Sequence, residues 1–202
     1  MNILRVFLIA FCLTNGLTLF AQVITHEDTL DNEFDRKVQA ILGNDLKGET
    51  IPDFFISRET EIVLSRNKLR SKVTFIYFWN EACEPCITKF HALEKFYLKN
   101  KSRKEFLFVS ITSEPDSVIE RIRKENGLIY PIYHLSADSC RQIISKMGLP
   151  ATLIVGKNLK IAFSTSGGSL DPEVEDKRLN HFIQAELEKE IANSDVLKEI
   201  KY

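Results

Sequence analysis

The sequence predicts an α/β domain in which helices flank a central mixed β-sheet, with a β-hairpin at its N-terminal side. Residues 73–79 form a nearly continuous apolar run rich in β-branched and aromatic residues, which is typical of a strand buried on both faces. Residues 105–112 form a second run of this kind, and segments with helical periodicity alternate with the strands. Hydrophobic residues make up 44% of the 202 residues and charged residues 27%, as expected for a globular protein.

The N-terminal residues are predicted to lie outside this domain. Residues 1–21 combine Arg5, an apolar stretch and Ala21, which is the pattern of a secretory signal peptide cleaved near Ala21. An uncleaved membrane anchor is the alternative, although polar residues interrupt the apolar run. Both interpretations predict an extracytoplasmic protein, either periplasmic or secreted.

The predicted organisation has four segments. They are the signal peptide at 1–21, a partly helical N-terminal extension at 22–47, the α/β domain at 48–192 and a C-terminal tail at 193–202. The formal net charge is −1, and basic residues are interspersed with acidic ones, so the sequence does not indicate a nucleic-acid partner.

Each element of the domain has a local signal. "IPDFFIS" and "EIVLS", residues 51–57 and 61–65, flank a short polar turn and predict the hairpin. One helix is predicted from residue 83 to about 98, and another over 113–127, where proline and glycine act as start and stop. The remaining predicted elements are a helix at 137–146, strands at 151–155 and 160–165, and a final helix at 171–192.

Cys83 and Cys86 form a C-x-x-C pair where a predicted strand ends and a helix begins. Backbone N–H groups and the dipole at a helix N-terminus favour a thiolate on the first cysteine. The second cysteine is close enough to form a small disulfide ring, so that a mixed disulfide with a partner can be resolved within the molecule. Pro85 fits the first helical turn, where a backbone N–H is not needed.

A metal clip and an inert structural disulfide are the alternatives for this pair. A zinc site needs further ligands, and no second C-x-x-C or H-x-x-x-H follows in the sequence. His91 lies five positions after Cys86, about 140° around a helix, and should face away from the cysteines. Redox chemistry is therefore favoured.

The segment "FWNEACEPC", followed by "GLPATLIV", resembles the thioredoxin superfamily, and most of all its extracytoplasmic TlpA/ResA-type thiol–disulfide oxidoreductases. The matching residues are Trp79, the motif Cys83–Glu84–Pro85–Cys86 and Pro150. The resemblance covers roughly residues 48–190 and implies a thioredoxin-like fold for the α/β domain.

The resemblance also implies roles for individual residues. Cys83 would be the exposed nucleophile, and Cys86 would be the buried resolving thiol. Pro150 would be a cis proline facing the disulfide, and Leu149 would receive the partner chain as an added strand. Trp79 would pack beside the active site, with plain core packing as the alternative.

Two positions depart from the family's pattern. The family often has an acidic residue three positions after the second cysteine, where this chain has Lys89, and other thioredoxins have Asp at the position of Tyr77. A carboxylate route for the proton of the resolving thiol is therefore in doubt. Lys89 lies at the edge of the inner helical stripe. Its ammonium either lowers a cysteine pKa or, as we expect, reaches water over a buried stem.

The predicted function is disulfide exchange with extracytoplasmic protein partners, with no cofactor beyond the Cys83–Cys86 disulfide and with a membrane electron donor or acceptor upstream. Cys140 is expected to be a buried, small hydrophobic residue. The alternatives are a soft-metal carrier that uses the same thiolates and a non-catalytic peptide-binding module. A peroxidase on this fold would need Thr and Pro near its cysteine, and "WNEAC" has neither.

Overall fold

A computed structural model describes residues 45–58 and 61–199, with side chains through residue 194. The predicted signal peptide at 1–21 and most of the predicted extension at 22–47 lie outside the described residues. Within the described part of the chain, no helix is both long enough and apolar enough to span a bilayer.

The described residues form the predicted alternation of strands and helices. The strands are β1 (Phe55–Arg58), β2 (Glu61–Ser65), β3 (Val73–Trp79), β4 (Phe106–Thr112), β5 (Ile132–His134), β6 (Ala151–Val155) and β7 (Ile161–Ser166). The helices are α1 (Glu84–Thr88), α2 (Phe90–Asn100), α3 (Asp116–Asn126), α4 (Ala137–Ile144), α5 (Pro172–Lys177) and α6 (Gln184–Glu199). A 3-10 helix covers Arg66–Ser71, and a π-helical segment covers Arg178–Ile183.

The central sheet has the strand order β5-β4-β3-β6-β7, and the β1–β2 hairpin forms a separate sheet. β3 pairs in parallel with β4 and antiparallel with β6, so the sheet is mixed as predicted. In the antiparallel pair, Phe78 lies opposite Ala151. This register places the start of β6 beside the end of β3, where the cysteine motif follows.

The sheet separates two layers of the core. Along β3 the side chains alternate between the faces. Phe75 and Tyr77 pack in the cluster that contains α2, α3 and α6, whereas Ile76 and Phe78 pack in the cluster with the hairpin and α4. Each of these side chains is buried, and burial of one large apolar side chain contributes about 1.5–3 kcal/mol to the free energy of unfolding. The predicted α/β class is confirmed.

The structure corrects three details of the predicted elements. The helix predicted from residue 83 begins at Glu84, turns at Lys89 and resumes at Phe90. Lys89 has φ −75° and ψ −16°, close to helical values, so α1 and α2 are nearly continuous. The short strand β5 was not predicted, because it has only three residues. The last helix extends to Glu199, into the predicted tail.

Candidate active site

The cysteine pair stands where β3 gives way to α1. Cys83 and Cys86 are joined by a disulfide, and their Cα atoms are 5.2 Å apart. Cys83 is the N-cap residue of α1 and is partly exposed, whereas Cys86 is fully buried. The Cys83 carbonyl accepts hydrogen bonds from the N–H groups of Cys86 and Ile87, at 2.9 and 3.2 Å. Solvent therefore reaches the disulfide from the Cys83 side.

A second loop, with a cis Leu149–Pro150 peptide bond, meets the motif. The cis geometry agrees with the implication of the resemblance. A Cβ atom built on Gly168 would lie 3.2 Å from Pro150 Cγ and 3.2 Å from Pro85 Cβ, so both proline rings border one glycine. Leu149 and Pro85 are partly exposed and Glu84 is exposed, so these residues form the surface around the disulfide.

Two aromatic side chains of β3 lie beneath this surface. Trp79 is buried in the same core cluster as Cys86, its Nε1 donates to Ser110 Oγ at 2.9 Å, and its ring meets Phe90 edge-on at 5.0 Å. Tyr77 OH donates to the Cys86 carbonyl at 3.0 Å. Burial raises the pKa of Tyr77 well above its ordinary value, so this hydroxyl keeps its proton and remains a donor.

Lys89 does not reach water, and our expectation for this residue was wrong. Its side chain is 1% exposed, and its Nζ lies 3.0 Å from Oε2 of Glu175, which is 0% exposed. An unpaired buried ammonium would cost several kcal/mol, and the carboxylate offsets this cost. Burial lowers the pKa of Lys89 to about 8; Glu175 opposes this shift and Arg178 adds to it.

Glu175 is the site residue that sequence reasoning missed. It lies in the first turn of α5, whose N-cap Asp171 accepts a hydrogen bond from Glu173 N at 2.9 Å. Several acidic residues follow the N-cap, and all of them look like ordinary partners of the helix dipole. Only the packing of α5 against α2 turns Glu175 inward, and no local pattern signals it.

Cys140 stands apart from this site. It packs against the core cluster on the other side of the sheet from Cys86, and its Sγ contacts the Leu135 carbonyl at 3.5 Å. Partial burial raises the pKa of Cys140 to about 11, so the residue holds a neutral thiol. Cys140 is partly rather than fully buried, which corrects its predicted burial, but its packing and its neutral thiol favour a small packing residue.

In the part of the chain that the structure describes, the fold brings no further ligands to a metal clip at Cys83 and Cys86. Within the described residues, no group of three or more His, Cys, Asp or Glu side chains could hold a metal ion. His91 is exposed on α2, on the outward side of the helix as expected from its spacing to Cys86.

Comparison with known proteins also supports a redox role for the cysteine pair. The AhpC/TSA family matches residues 47–164. The thiol–disulfide oxidoreductase ResA of Geobacillus thermodenitrificans is 30% identical over 118 residues, which cover 56% of this chain and 66% of that protein. ResA of Bacillus subtilis is 24% identical over 130 residues, which cover 61% of this chain and 71% of that protein. The chain thus spans about two thirds of the length of these relatives.

Solved structures share the fold. A solution structure from Bacteroides thetaiotaomicron, described as a protein disulfide isomerase, has a TM-score of 0.58 and 26% identity, and covers 70% of this chain and 90% of its own. A crystal structure from Chlorobium tepidum, described as the thiol:disulfide interchange protein DsbE, has a TM-score of 0.59 and 19% identity, with 70% and 97% covered. The predicted thioredoxin-like fold and the predicted resemblance to ResA-type oxidoreductases are confirmed.

Proposed function

The chain belongs to the AhpC/TSA family and is a thioredoxin-like thiol–disulfide oxidoreductase, and from this premise we propose that it exchanges disulfides with extracytoplasmic protein partners through Cys83 and Cys86. The observation that carries the proposal is the asymmetry of the pair. Cys83 is partly exposed at the helix start, and Cys86 is buried behind it. This arrangement suits an attacking thiolate and an internal resolving thiol.

The exchange has two steps. In the reduced protein, the Cys83 thiolate attacks one sulfur of a partner disulfide; a mixed disulfide forms, and the other partner sulfur leaves as a thiolate that takes up a proton. Cys86 then loses its proton and attacks Cys83 Sγ. The Cys83–Cys86 bond forms, and the bond to the partner breaks. The partner gains two electrons and the cysteine pair loses two, and the reverse sequence oxidises partner thiols.

Leu149 is the proposed docking residue for the partner chain. It precedes the cis Pro150, is partly exposed and lies two residues before Ala151, the first residue of β6. An extended partner segment could pair there with the backbone, as in other cases of strand addition. Glu84 and Pro85 would contact the partner from the opposite side of the disulfide.

The proposed location is extracytoplasmic, after cleavage of residues 1–21 near Ala21. A reductant in such a compartment needs an upstream electron source, and we propose a membrane donor or acceptor for this role. The direction of electron flow depends on the relative stabilities of the two redox forms, at about 30 mV per 1.4 kcal/mol. Intact mass and N-terminal sequencing of the exported protein test the cleavage.

Insulin reduction tests the proposed activity. Wild-type protein should accelerate the reduction of insulin by dithiothreitol, Cys83→Ser should abolish the acceleration, and Cys140→Ser should leave it unchanged. Absence of turnover with any thiol donor, while peptide is still bound, would favour a binding module. Metal recovered with the reduced protein and lost with either cysteine would favour a metal carrier, and turnover of peroxide without a protein disulfide would favour a peroxidase.

A further inference from the structure

The loop between β7 and α5 borders the disulfide and contains two successive glycines, Gly167 and Gly168. Gly167 has a φ of +78°, in the left-handed region that favours glycine. A Cβ atom at Gly168 would lie 3.2 Å from both Pro85 Cβ and Pro150 Cγ, so a larger residue would press on the site. Because glycine restricts the backbone least, contacts from outside the loop must hold it in one conformation.

This loop is bonded directly to the cis-proline segment that we propose as the docking position. β6 and β7 pair antiparallel, with Ala151 opposite Ser166. The Gly167 N–H then donates to the Pro150 carbonyl at 2.8 Å, which extends the ladder beyond the two strands. Pro150 is joined to Leu149 by the cis peptide bond, so the position of Gly167 fixes the backbone that would receive a partner chain.

Arg178 binds the loop from the side of the C-terminal helices. Its Nη1 donates to the Gly167 carbonyl at 3.0 Å, and its Nη2 donates to Thr165 Oγ1 at 2.7 Å and to the Ser166 carbonyl at 3.4 Å. Nη1 also lies 3.9 Å from Glu175 Oε1. The planar guanidinium holds its N–H groups in a fixed arrangement, so one side chain sets the positions of three consecutive residues.

The surroundings of Arg178 favour a functional role for these hydrogen bonds. The residue begins the π-helical segment Arg178–Ile183, and π-helical turns are rare and frequently occur at functional sites. Its side chain is 13% exposed, so water competes little for its N–H groups, and hydrogen bonds are stronger there than on an open surface. A guanidinium keeps its charge throughout the ordinary pH range, so these contacts do not depend on pH.

We propose that Arg178 is a positioning residue, which fixes the docking backbone at Leu149 and thereby favours extended protein chains over small disulfides as substrates. This inference rests on the proposed disulfide exchange. A partner chain binds more tightly to a backbone that is already ordered, because it does not have to order the loop on binding. A small disulfide needs only the sulfur of Cys83, and its reaction should not depend on Arg178.

Reduction of two substrates by the same protein tests this role. In a Cys140→Ser background, the single-turnover rate is measured against the concentration of a disulfide-bonded peptide, with residues on both sides of its cysteines, and of bis(2-hydroxyethyl) disulfide. Arg178→Met should raise the peptide concentration that gives the half-maximal rate by about tenfold, which corresponds to one hydrogen bond to a charged group. The limiting rate with peptide and the rate constant with the small disulfide should stay within about twofold of wild type.

Arg178→Lys separates the position of the loop from the charge. Its ammonium keeps a cation near Glu175 but lacks the planar fork that spans the acceptors on Gly167 and Thr165. The half-maximal peptide concentration should therefore rise by a factor similar to that in Arg178→Met. A Lys variant equal to wild type beside an impaired Met variant would assign the effect to charge and overturn the positioning role. If Arg178→Met does not fold, Arg178→Lys carries the test.

Arg123 of α3 offers a matched control. Its side chain is 30% exposed, and its Nη1 donates to the Tyr130 carbonyl at 3.2 Å, in the loop that leads into β5. β5 lies at the opposite edge of the sheet from β7. Arg123→Met removes the same kind of contact from that loop and should leave the rates with both substrates unchanged.

The outcomes separate the positioning role from the proposed function. A peptide dependence equal to wild type in both Arg178 variants would overturn the positioning role alone. Equal losses with the peptide and the small disulfide would also overturn it, since they would indicate a general disturbance of Cys83. A wild-type protein that reduces neither substrate would contradict the disulfide exchange on which the inference rests.

Discussion

Removal of the Lys89 ammonium should lower the free energy of unfolding by about 3–5 kcal/mol. Lys89→Met keeps a side chain of similar length but leaves Glu175 buried without the cation that stands 3.0 Å from its Oε2. Arg178 offsets little of this loss, because its Nη1 is 3.9 Å from Oε1 and it also binds backbone carbonyls. Substitution of both charges by Met should cost far less than either single change, since buried pairs are replaced by apolar residues at nearly no cost. Urea unfolding with a constant m-value gives all the terms of this double-mutant cycle.

The exposed ion pair between Lys95 of α2 and Asp176 of α5 serves as the control for this prediction. Lys95→Met should change the free energy of unfolding by no more than about 1 kcal/mol, because solvent screens the ion pair with Asp176. If Lys89→Met costs as little as Lys95→Met, the side chain of Lys89 reaches water in solution, and the buried-pair reasoning is refuted.

Three further predictions concern Lys89, Gly168 and Cys140 in turn. The pKa of Lys89 falls from 10.5 to about 8 on folding, so between these pH values the unfolded chain binds more protons than the folded protein. The free energy of unfolding of the wild type, relative to that of Lys89→Met/Glu175→Met, should therefore rise by up to about 1.4 kcal/mol per pH unit in this range. A difference that does not change with pH would contradict this. Gly168→Ala should lower the free energy of unfolding by about 1–3 kcal/mol in urea titrations, because its Cβ would lie 3.2 Å from two proline rings. Gly148→Ala is the control: it has open space around it and should cost less than about 0.5 kcal/mol. In the reduced protein at pH 7.5, iodoacetamide should alkylate Cys83 well before Cys140, whose pKa of about 11 keeps it a thiol; mass mapping that finds Cys140 modified first would contradict the burial argument.

Most of the strands and helices could be predicted from the sequence, because its strands are buried on both faces and clear start and stop residues mark its turns. β3, β4 and β6 were predicted within a residue of their observed bounds, since continuous apolar runs mark such strands. The short β5 lies outside that logic, because Ile132–His134 pairs only at the sheet edge with β4. The cis Leu149–Pro150 bond followed from resemblance, since no property of the dipeptide itself selects that isomer.

The buried ion pair between Lys89 and Glu175 could not be predicted from the sequence. Periodicity placed Lys89 at the edge of the inner stripe, where water and core were both within reach of its long side chain. The outcome was decided by Glu175, which arrives from another helix and makes the buried position tenable. Ion pairs of this kind depend on tertiary packing, and the local sequence pattern around either residue does not indicate them.

Intact mass measurement of a trapped intermediate tests the central claim most directly. Cys86→Ser in the Cys140→Ser background, incubated with a disulfide-bonded peptide, should accumulate a covalent adduct of peptide mass on Cys83, and dithiothreitol should remove it. Cys83→Ser in the same background should form little or none, because Cys86 is buried. Equal adducts on the two variants, or none on Cys86→Ser, would contradict an exposed attacking cysteine backed by a buried resolving one.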